Sequence, residues 1–268
     1  MKIQSFHKKD AQSPDAHGDA SVCPLQRRIL RDTAGLLAAL CVIFVLLISA
    51  IEVVCYADPS YFLREYKKYD VLEALPEMKL EGPDSLMTVT EHMMKYLRGD
   101  RDTPELQIEV SMGGEKRGFF TEREILHMAD VRNLFVGAQK LRAAAILLTA
   151  VLLIGMRVFL CRSTRSFARL VCRSMLRGTV LFLCIAAVFG IIFATDFTGA
   201  FITFHHLFFS NDLWILDPSV DMLINIVPEG FFFDTAVRIL GMFAAVLIAI
   251  CAFCIWQLRR LKAGSARV

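Results

Sequence analysis

The segment Thr33–Tyr56, TAGLLAALCVIFVLLISAIEVVCY, holds one charged residue and is longer than the ~20 apolar residues that a helix needs to cross a bilayer. Three more segments are similarly apolar, at Ala143–Leu160, Gly178–Phe197 and Phe231–Trp256. Hydrophobic residues make up 55% of the 268-residue chain, more than the roughly 45–50% of an ordinary soluble domain. Only helices and closed barrels satisfy the backbone in lipid. The sequence therefore predicts an all-α transmembrane fold, built as a four-helix membrane bundle.

These segments divide the chain into membrane and non-membrane parts. We expect the membrane helices to cover residues 31–57, 143–161, 178–198 and 230–257. Between them lie a cap at 58–142, an arginine-rich loop at 162–177 and a histidine- and aromatic-rich loop at 199–229. Tails remain at 1–30 and 258–268. The first tail is polar and has no apolar periodicity, so it is expected to be disordered.

The distribution of arginine predicts how the chain lies in the membrane, because short cytoplasmic loops collect Lys and Arg. Residues 162–177 contain five arginines and no acidic residue, whereas residues 199–229 contain acidic residues and no Lys or Arg. We therefore expect a multi-pass membrane protein with both termini in the cytoplasm. The cap and the 199–229 loop are expected outside. The net charge of +3 then reflects topology, and we predict no binding to nucleic acid.

The cap is expected to be mostly helical. Apolar residues recur at helical spacing from Leu86 to Leu97, and Gly99 is suited to end this helix. Asp84 or Ser85 can cap its first turn. Farther along, Thr121 and Glu124 have the spacing of a capping box at the start of a helix that runs into the second span.

A short β-hairpin is predicted within the cap. Residues 106–110 alternate between apolar and polar side chains. Gly113 and Gly114 can then adopt the positive backbone angles of a tight turn before residues 116–120. The cap is therefore a small folded unit that stands on the membrane helices.

Histidines set among aromatic residues are the best candidates for chemistry. His205 and His206 are adjacent, so their side chains point in different directions, and one of them is expected to face a pocket. The aromatic residues around them are Phe204, Phe208, Phe209 and Trp214. His127 is followed one turn later by Asp130, whose carboxylate can hold the tautomer of the imidazole.

Other interpretations of these residues remain open. The histidines can be polar anchors at the membrane interface. A metal site formed by His127, His205, His206 and an aspartate has no support from ligand spacing, so none is predicted. Arg238, one turn after Asp234, is expected to be its ion-pair partner. Glycine loops for nucleotides, H-E-x-x-H and G-x-S-x-G do not occur in the sequence, so no cofactor is predicted and a serine hydrolase is disfavoured.

Five motifs resemble a known family. They are YLRGD at Tyr96–Asp100, FFTEREILHMADVRNLF at Phe119–Phe135, FHHLFF at Phe204–Phe209, W-x-x-D-P at Trp214–Pro218 and P-E-x-F-F-x-D at Pro228–Asp234. In these motifs the chain resembles a bacterial four-span integral membrane family that includes the lipoprotein intramolecular transacylase of Gram-positive bacteria. The resemblance covers roughly residues 36–256.

The resemblance implies an active site between the membrane bundle and the cap. It implies catalytic roles for His127 and His205, whereas His206 stands where other residue types are expected in relatives. The implied reaction moves the sn-2 acyl chain of a diacylglyceryl lipoprotein to the amine of its N-terminal cysteine. Membrane lipids and lipid-modified lipoproteins are then the partners. The alternatives are a non-enzymatic protein that binds lipid or a partner, and a metal-dependent membrane hydrolase.

Overall fold

The computed structural model describes residues 24–161 and 163–263, which form eight α-helices, one π-helical turn and a two-stranded antiparallel sheet. In chain order the elements are α1 (Pro24–Tyr56), α2 (Ser60–Lys68), α3 (Pro83–Arg98), β1 (Glu109–Met112), β2 (Glu115–Gly118), α4 (Glu122–Gly155), the π-helical turn (Met156–Leu160), α5 (Thr164–Thr195), α6 (Phe197–Phe208), α7 (Leu223–Ile226) and α8 (Glu229–Ala263).

Four of these helices, α1, α4, α5 and α8, are long and apolar enough to cross a membrane. Helix α1 packs against each of the other three, so the bundle is organised around it. On α4, the side chains of Leu147 and Ile154 are 67% and 63% exposed, as expected of a surface that faces lipid. The predicted all-α membrane fold with a small hairpin-bearing cap is confirmed.

The helices extend beyond the predicted spans. Helix α1 already includes residues 24–30, while residues 1–23 and 264–268 of the predicted tails lie outside the described residues. Most of the predicted arginine-rich loop is helical from Thr164 onward. Arginine is a good helix former, and this segment contains no proline. Arg165 and Arg169 also donate to the carbonyl of Leu261 at 2.5 and 3.4 Å, which ties the start of α5 to the end of α8.

The hairpin and α3 follow their sequence signals closely. Gly113 and Gly114 have φ angles of 64° and 85° in the turn between β1 and β2, a backbone conformation that favours residues without a Cβ. Gly99 ends α3 with a φ of 79°. The first turn of α3 differs from expectation, because it begins at Pro83 and has no side-chain cap from Asp84 or Ser85.

The core of the cap extends into the bundle. Tyr66 of α2 is fully buried, and its hydroxyl shares a 2.7 Å hydrogen bond with the hydroxyl of Thr90 of α3. From α8, Phe231 stacks on Phe62 with ring centroids 5.7 Å apart. The first turn of α8 is therefore part of the cap core, and this contact fixes the position of the cap on the bundle.

Charged residues reinforce the junction between the cap and α8. Arg238 pairs with Asp58 at 3.3 Å and lies over the ring of Tyr61. Asp234 instead accepts hydrogen bonds from Lys68 and, at 2.8 Å, from the hydroxyl of Tyr69. The predicted pairing of Arg238 with Asp234 is therefore wrong. The partners of Asp234 are Lys68, the last residue of α2, and Tyr69, which follows it, and sequence spacing along α8 alone could not reveal them.

Candidate active site

The first turn of α4 is fixed by the predicted capping box. The backbone N–H of Thr121 donates to the Glu124 carboxylate at 2.7 Å, and the Thr121 hydroxyl accepts from the backbone N–H of Glu124. Glu124 is fully buried and also accepts from the backbone N–H of Leu223, the first residue of α7. The hydroxyl of Thr121 donates to Asp221 at 2.9 Å. These bonds tie the helix that carries His127 to the segment before α8.

The FHHLFF motif forms the end of a helix rather than the loop expected at 199–229. Asp196 caps α6 by accepting from the backbone N–H of Gly199 at 2.8 Å. Helical geometry then separates the directions of the two adjacent histidines. His205 is buried, with 8% of its surface exposed, and His206 is exposed.

His127 and His205 lie together in the structure. Their ring centroids are 6.0 Å apart, and His127 is 6% exposed. Phe209, also 6% exposed, contacts both imidazoles, with centroid distances of 5.3 Å to His127 and 5.6 Å to His205. Two motifs that are far apart in sequence thus contribute one histidine each to a single buried site.

Trp214 stacks on His205. The two rings stack at 4.8 Å with an interplanar angle of 29°. The edge of His206 contacts the same indole at 5.1 Å. Trp214 Nε1 is buried and has no hydrogen-bond partner among residues 24–161 and 163–263.

A backbone carbonyl fixes the protonation pattern of His205. The Nδ1 atom lies 2.7 Å from the carbonyl oxygen of Phe201, one turn earlier in α6. A carbonyl only accepts, so Nδ1 carries a proton, and in the neutral imidazole Nε2 keeps its lone pair. Burial lowers the pKa of His205 below its ordinary value, and this hydrogen bond offsets part of the effect. The neutral form, a base at Nε2, is therefore favoured.

Asp130 is hydrogen-bonded to a residue other than His127. Its carboxylate accepts a 2.9 Å hydrogen bond from the side chain of Asn211. His127 Nδ1 is buried without a partner in the described part of the chain. In the described residues His127 Nδ1 therefore makes no hydrogen bond to Asp130, and the role of Asp130 in orienting His127 stays a prediction.

Phe204 and Phe208 lie at the rim of the site rather than inside it. Their side chains are 42% and 48% exposed, and their rings contact each other at 4.7 Å. Phe204 also presents an edge to His205 at 5.5 Å. The ring of Phe201, one turn before His205, lies 4.2 Å from it, closer than Trp214, and Phe209 contacts both imidazoles.

Sequence reasoning missed two contributors to the site, Asn211 and the carbonyl of Phe201. Asn211 follows Ser210 and precedes Asp212 in a polar turn, and such turns are usually explained by local backbone hydrogen bonding alone. The carbonyl of Phe201 carries no sequence signal. Within residues 24–161 and 163–263, no three His, Cys, Asp or Glu side chains are arranged to hold a metal ion.

Four membrane helices, a small cap and a buried histidine pair in an aromatic pocket define the class, a multi-pass membrane protein with an enzyme-like site. The family model described as lipoprotein intramolecular transacylase Lit matches residues 36–232, and the chain belongs to this family. Membership makes it an acyltransferase-like membrane enzyme. The resemblance seen in the sequence motifs is therefore confirmed.

Solved structures share the fold. The structure of Lit from Bacillus cereus is 21% identical, covers 91% of this chain and 99% of its own, and has a TM-score of 0.65. A variant of that protein with one histidine replaced by alanine gives 21% identity, coverage of 89% and 98%, and a TM-score of 0.66. A search of curated proteins finds no match.

Proposed function

We propose that this enzyme transfers the sn-2 acyl chain of a diacylglyceryl lipoprotein to the free amine of the lipoprotein's N-terminal cysteine, which yields a lyso-form lipoprotein. The observation that carries the proposal is the pair of buried imidazoles, His127 and His205, 6.0 Å apart in an aromatic pocket. Family membership supports the same reaction class.

The amine must lose a proton before or during its attack on the ester, because an α-amino group has a pKa of ~8. His205 suits the role of general base. Its Nδ1 proton is engaged by the carbonyl of Phe201, and its Nε2 lone pair remains free to accept a proton. Burial keeps this imidazole neutral, since its pKa is lowered.

The leaving glyceryl oxygen must gain a proton, and His127 suits this second role. Its Nδ1 is free of any hydrogen bond within the described residues, so either ring nitrogen can hold the proton. We assign the delivery of a proton to the glyceryl oxygen to His127. The amine nitrogen loses one proton, and the glyceryl oxygen whose bond to the acyl carbon breaks gains one. The proton taken up by His205 replaces the one that His127 gives up, so both imidazoles return to their neutral forms.

The aromatic walls serve to fold the substrate. Donor and acceptor belong to one molecule, so the main contribution of the site is to hold amine and ester in contact. Phe209 and Trp214 each contact His205, and Phe209 also contacts His127, so aromatic rings border both imidazoles. Phe204 and Phe208 at the rim are suited to contact acyl chains. Asp130 and His206 then have orienting roles at the edge of the site.

The reaction is proposed for the outer face of the bacterial cell membrane, with both termini in the cytoplasm. The arginine distribution supports this orientation. In a variant without its native cysteines, Glu115→Cys on the hairpin and Ser163→Cys before α5 place exposed thiols at opposite ends of the bundle. An impermeant maleimide applied to intact cells should label the first and spare the second. The reverse pattern would overturn the orientation.

The decisive experiment is mass spectrometry of lipoprotein N-termini. Purified enzyme is incubated in lipid vesicles with a synthetic diacylglyceryl lipopeptide whose sn-2 chain is isotopically labelled. We expect the label on the cysteine amine and no free labelled fatty acid. Release of labelled fatty acid that a chelator stops would instead identify a metal-dependent hydrolase. An unchanged lipopeptide that binds the protein would identify a binding protein.

A further inference from the structure

The indole N–H of Trp214 is a buried hydrogen-bond donor next to His205, and it has no role in the acyl transfer proposed above. Four buried side-chain N or O atoms lack a hydrogen-bond partner within the described residues, and two of them, His127 Nδ1 and Trp214 Nε1, belong to the site. Buried polar groups in folded proteins are nearly always paired, so an orphan at a site calls for an explanation. The indole N–H can only donate, so its missing partner must be an acceptor.

The position of the indole is fixed by contacts that do not involve its nitrogen. The side-chain oxygen of Asn211 accepts from the backbone N–H of Leu213 at 3.1 Å, while the Asn211 amide donates to Asp130. Arg123 of α4 donates to the carbonyl of Asp212. Asp130 and Arg123, both on α4, thus hold the segment directly before Trp214. The N–H is therefore held in place before any substrate arrives.

The indole that carries this N–H stacks on the general base. The two rings lie 4.8 Å apart with 29° between their planes. The N–H lies in the plane of the indole, so it is not directed into the imidazole face on which the ring stacks, and it can meet an acceptor bound beside the two rings.

We propose that the N–H of Trp214 donates a hydrogen bond to the carbonyl oxygen of the ester and stabilises the oxyanion of the tetrahedral intermediate. This assignment rests on the proposed acyl transfer. The amine lone pair forms the new C–N bond, and the electron pair of the C=O bond moves to the oxygen, where the indole N–H meets it. The electron pair then returns, the bond to the glyceryl oxygen breaks, and the indole keeps its proton throughout.

The donor matters because the charge on oxygen is greatest in the intermediate. A fixed donor aimed at developing charge stabilises the transition state more than the ground state. Loss of one such donor typically lowers kcat by ~10²–10³-fold. His127 Nδ1, the other orphan atom of the site, can donate or accept and is already assigned to proton delivery.

The test removes the N–H while keeping the ring. Trp214→Phe is compared with replacement of Trp214 by β-(3-benzothienyl)alanine, which has the shape of tryptophan with sulfur in place of the N–H. Trp256 is exposed near the C-terminal end of α8, far from the site in sequence. The same two replacements at Trp256 serve as matched controls. Steady-state kinetics with the labelled lipopeptide should show kcat reduced by about 10²-fold at Trp214 with little change in KM, and no change at Trp256.

A binding measurement distinguishes a hydrogen-bond role from a purely structural one. A phosphonate analogue carries the negative charge of the intermediate, and an ether analogue keeps the shape of the substrate without it. The benzothienyl variant at Trp214 should lose its preference for the phosphonate and still bind the ether analogue. Full activity in that variant, or an unchanged preference, would overturn the inference. An inactive parent enzyme would instead refute the proposed acyl transfer itself.

Discussion

Asn211 donates a 2.9 Å hydrogen bond to Asp130, and this bond joins the segment before Trp214 to the helix that carries His127. The charged acceptor makes the bond stronger than one between neutral groups. Both walls of the site depend on it, because Trp214 covers His205 while α4 positions His127. The two imidazoles therefore keep their spacing through a contact in which neither takes part.

Removing either end of this bond should destabilise the protein and slow turnover. A hydrogen bond to a charged group contributes roughly 1.5–3 kcal/mol, so Asn211→Ala and Asp130→Ala should each lower the free energy of unfolding by about that amount. The double variant should be little worse than either single variant, because both remove the same contact. Thermal unfolding and turnover in vesicles measure the effect.

Asn133→Ala is the matched control, because Asn133 is exposed on the same helix as Asp130. It should behave like the parent. Strictly additive losses in the double variant would show that Asn211 and Asp130 act separately.

His127→Ala and His205→Ala should each nearly abolish the formation of lyso-form lipopeptide, whereas His206→Ala should have a milder effect. General acid–base assistance contributes roughly 10²–10⁴-fold in rate, so the loss is well outside assay error. His206 is the natural comparison, since it is adjacent to His205 yet exposed. Each variant is checked for expression and melting temperature. Parent-like rates in folded His127→Ala and His205→Ala proteins would refute their catalytic roles.

Acidification should destabilise the enzyme partly through His205. Its pKa is lowered in the folded state by burial, whereas the unfolded chain binds the proton near the ordinary value of ~6.5. Between these two pKa values only the unfolded chain binds the proton, so the free energy of unfolding decreases as the pH falls through this window. Below the folded-state pKa this contribution levels off.

His205→Gln should flatten this acid decline, and His206→Gln should flatten it less, because the charge of His206 adds only a smaller part to the lowering of the His205 pKa by burial. Melting temperatures measured in buffers below pH 7 decide the matter. Parallel curves for the parent and His205→Gln would show that burial of this imidazole does not contribute to acid sensitivity.

Phe209→Leu should reduce kcat more than Phe204→Leu. Phe209 is buried against both imidazoles, whereas Phe204 is 42% exposed at the rim. Aromatic pairs contribute about 0.5–1.5 kcal/mol beyond the area that they bury, so a loss of up to about tenfold in kcat is expected for Phe209→Leu. Phe204→Leu should act mainly on KM, and equal effects on kcat in the two variants would contradict the geometry.

The fold was largely predictable because its main signals are local. An apolar run such as Thr33–Tyr56 identifies a membrane helix without reference to the rest of the chain. Gly113 with Gly114 and the Thr121–Glu124 pair also act within a few residues of each other, and each has its predicted role in the structure. The boundaries were less predictable, since helices such as α5 continue past the apolar segment wherever nothing breaks them.

The site was predictable in its histidines and unpredictable in its hydrogen bonds. His127 and His205 stand in motifs that resemble a family, so their pairing could be anticipated. The hydrogen-bond partners of Asp130 and Asp234 could not be anticipated. Asn211 reaches Asp130 on α4, and Lys68 reaches Asp234 on α8, only because segments distant in sequence pack together. Spacing along one helix predicted His127 as the partner of Asp130 and Arg238 as the partner of Asp234. In the structure, side chains from other segments donate to both carboxylates.

The carbonyl of Phe201 sets the tautomer of His205 without adding a charge to the site. A carboxylate in that position would hold water around itself, because a buried anion is costly unless it is solvated or paired. In the proposed transfer, water near the ester would compete with the amine for the acyl group. A neutral orienting group brings no such water with it and would therefore favour capture of the acyl chain by the amine over hydrolysis.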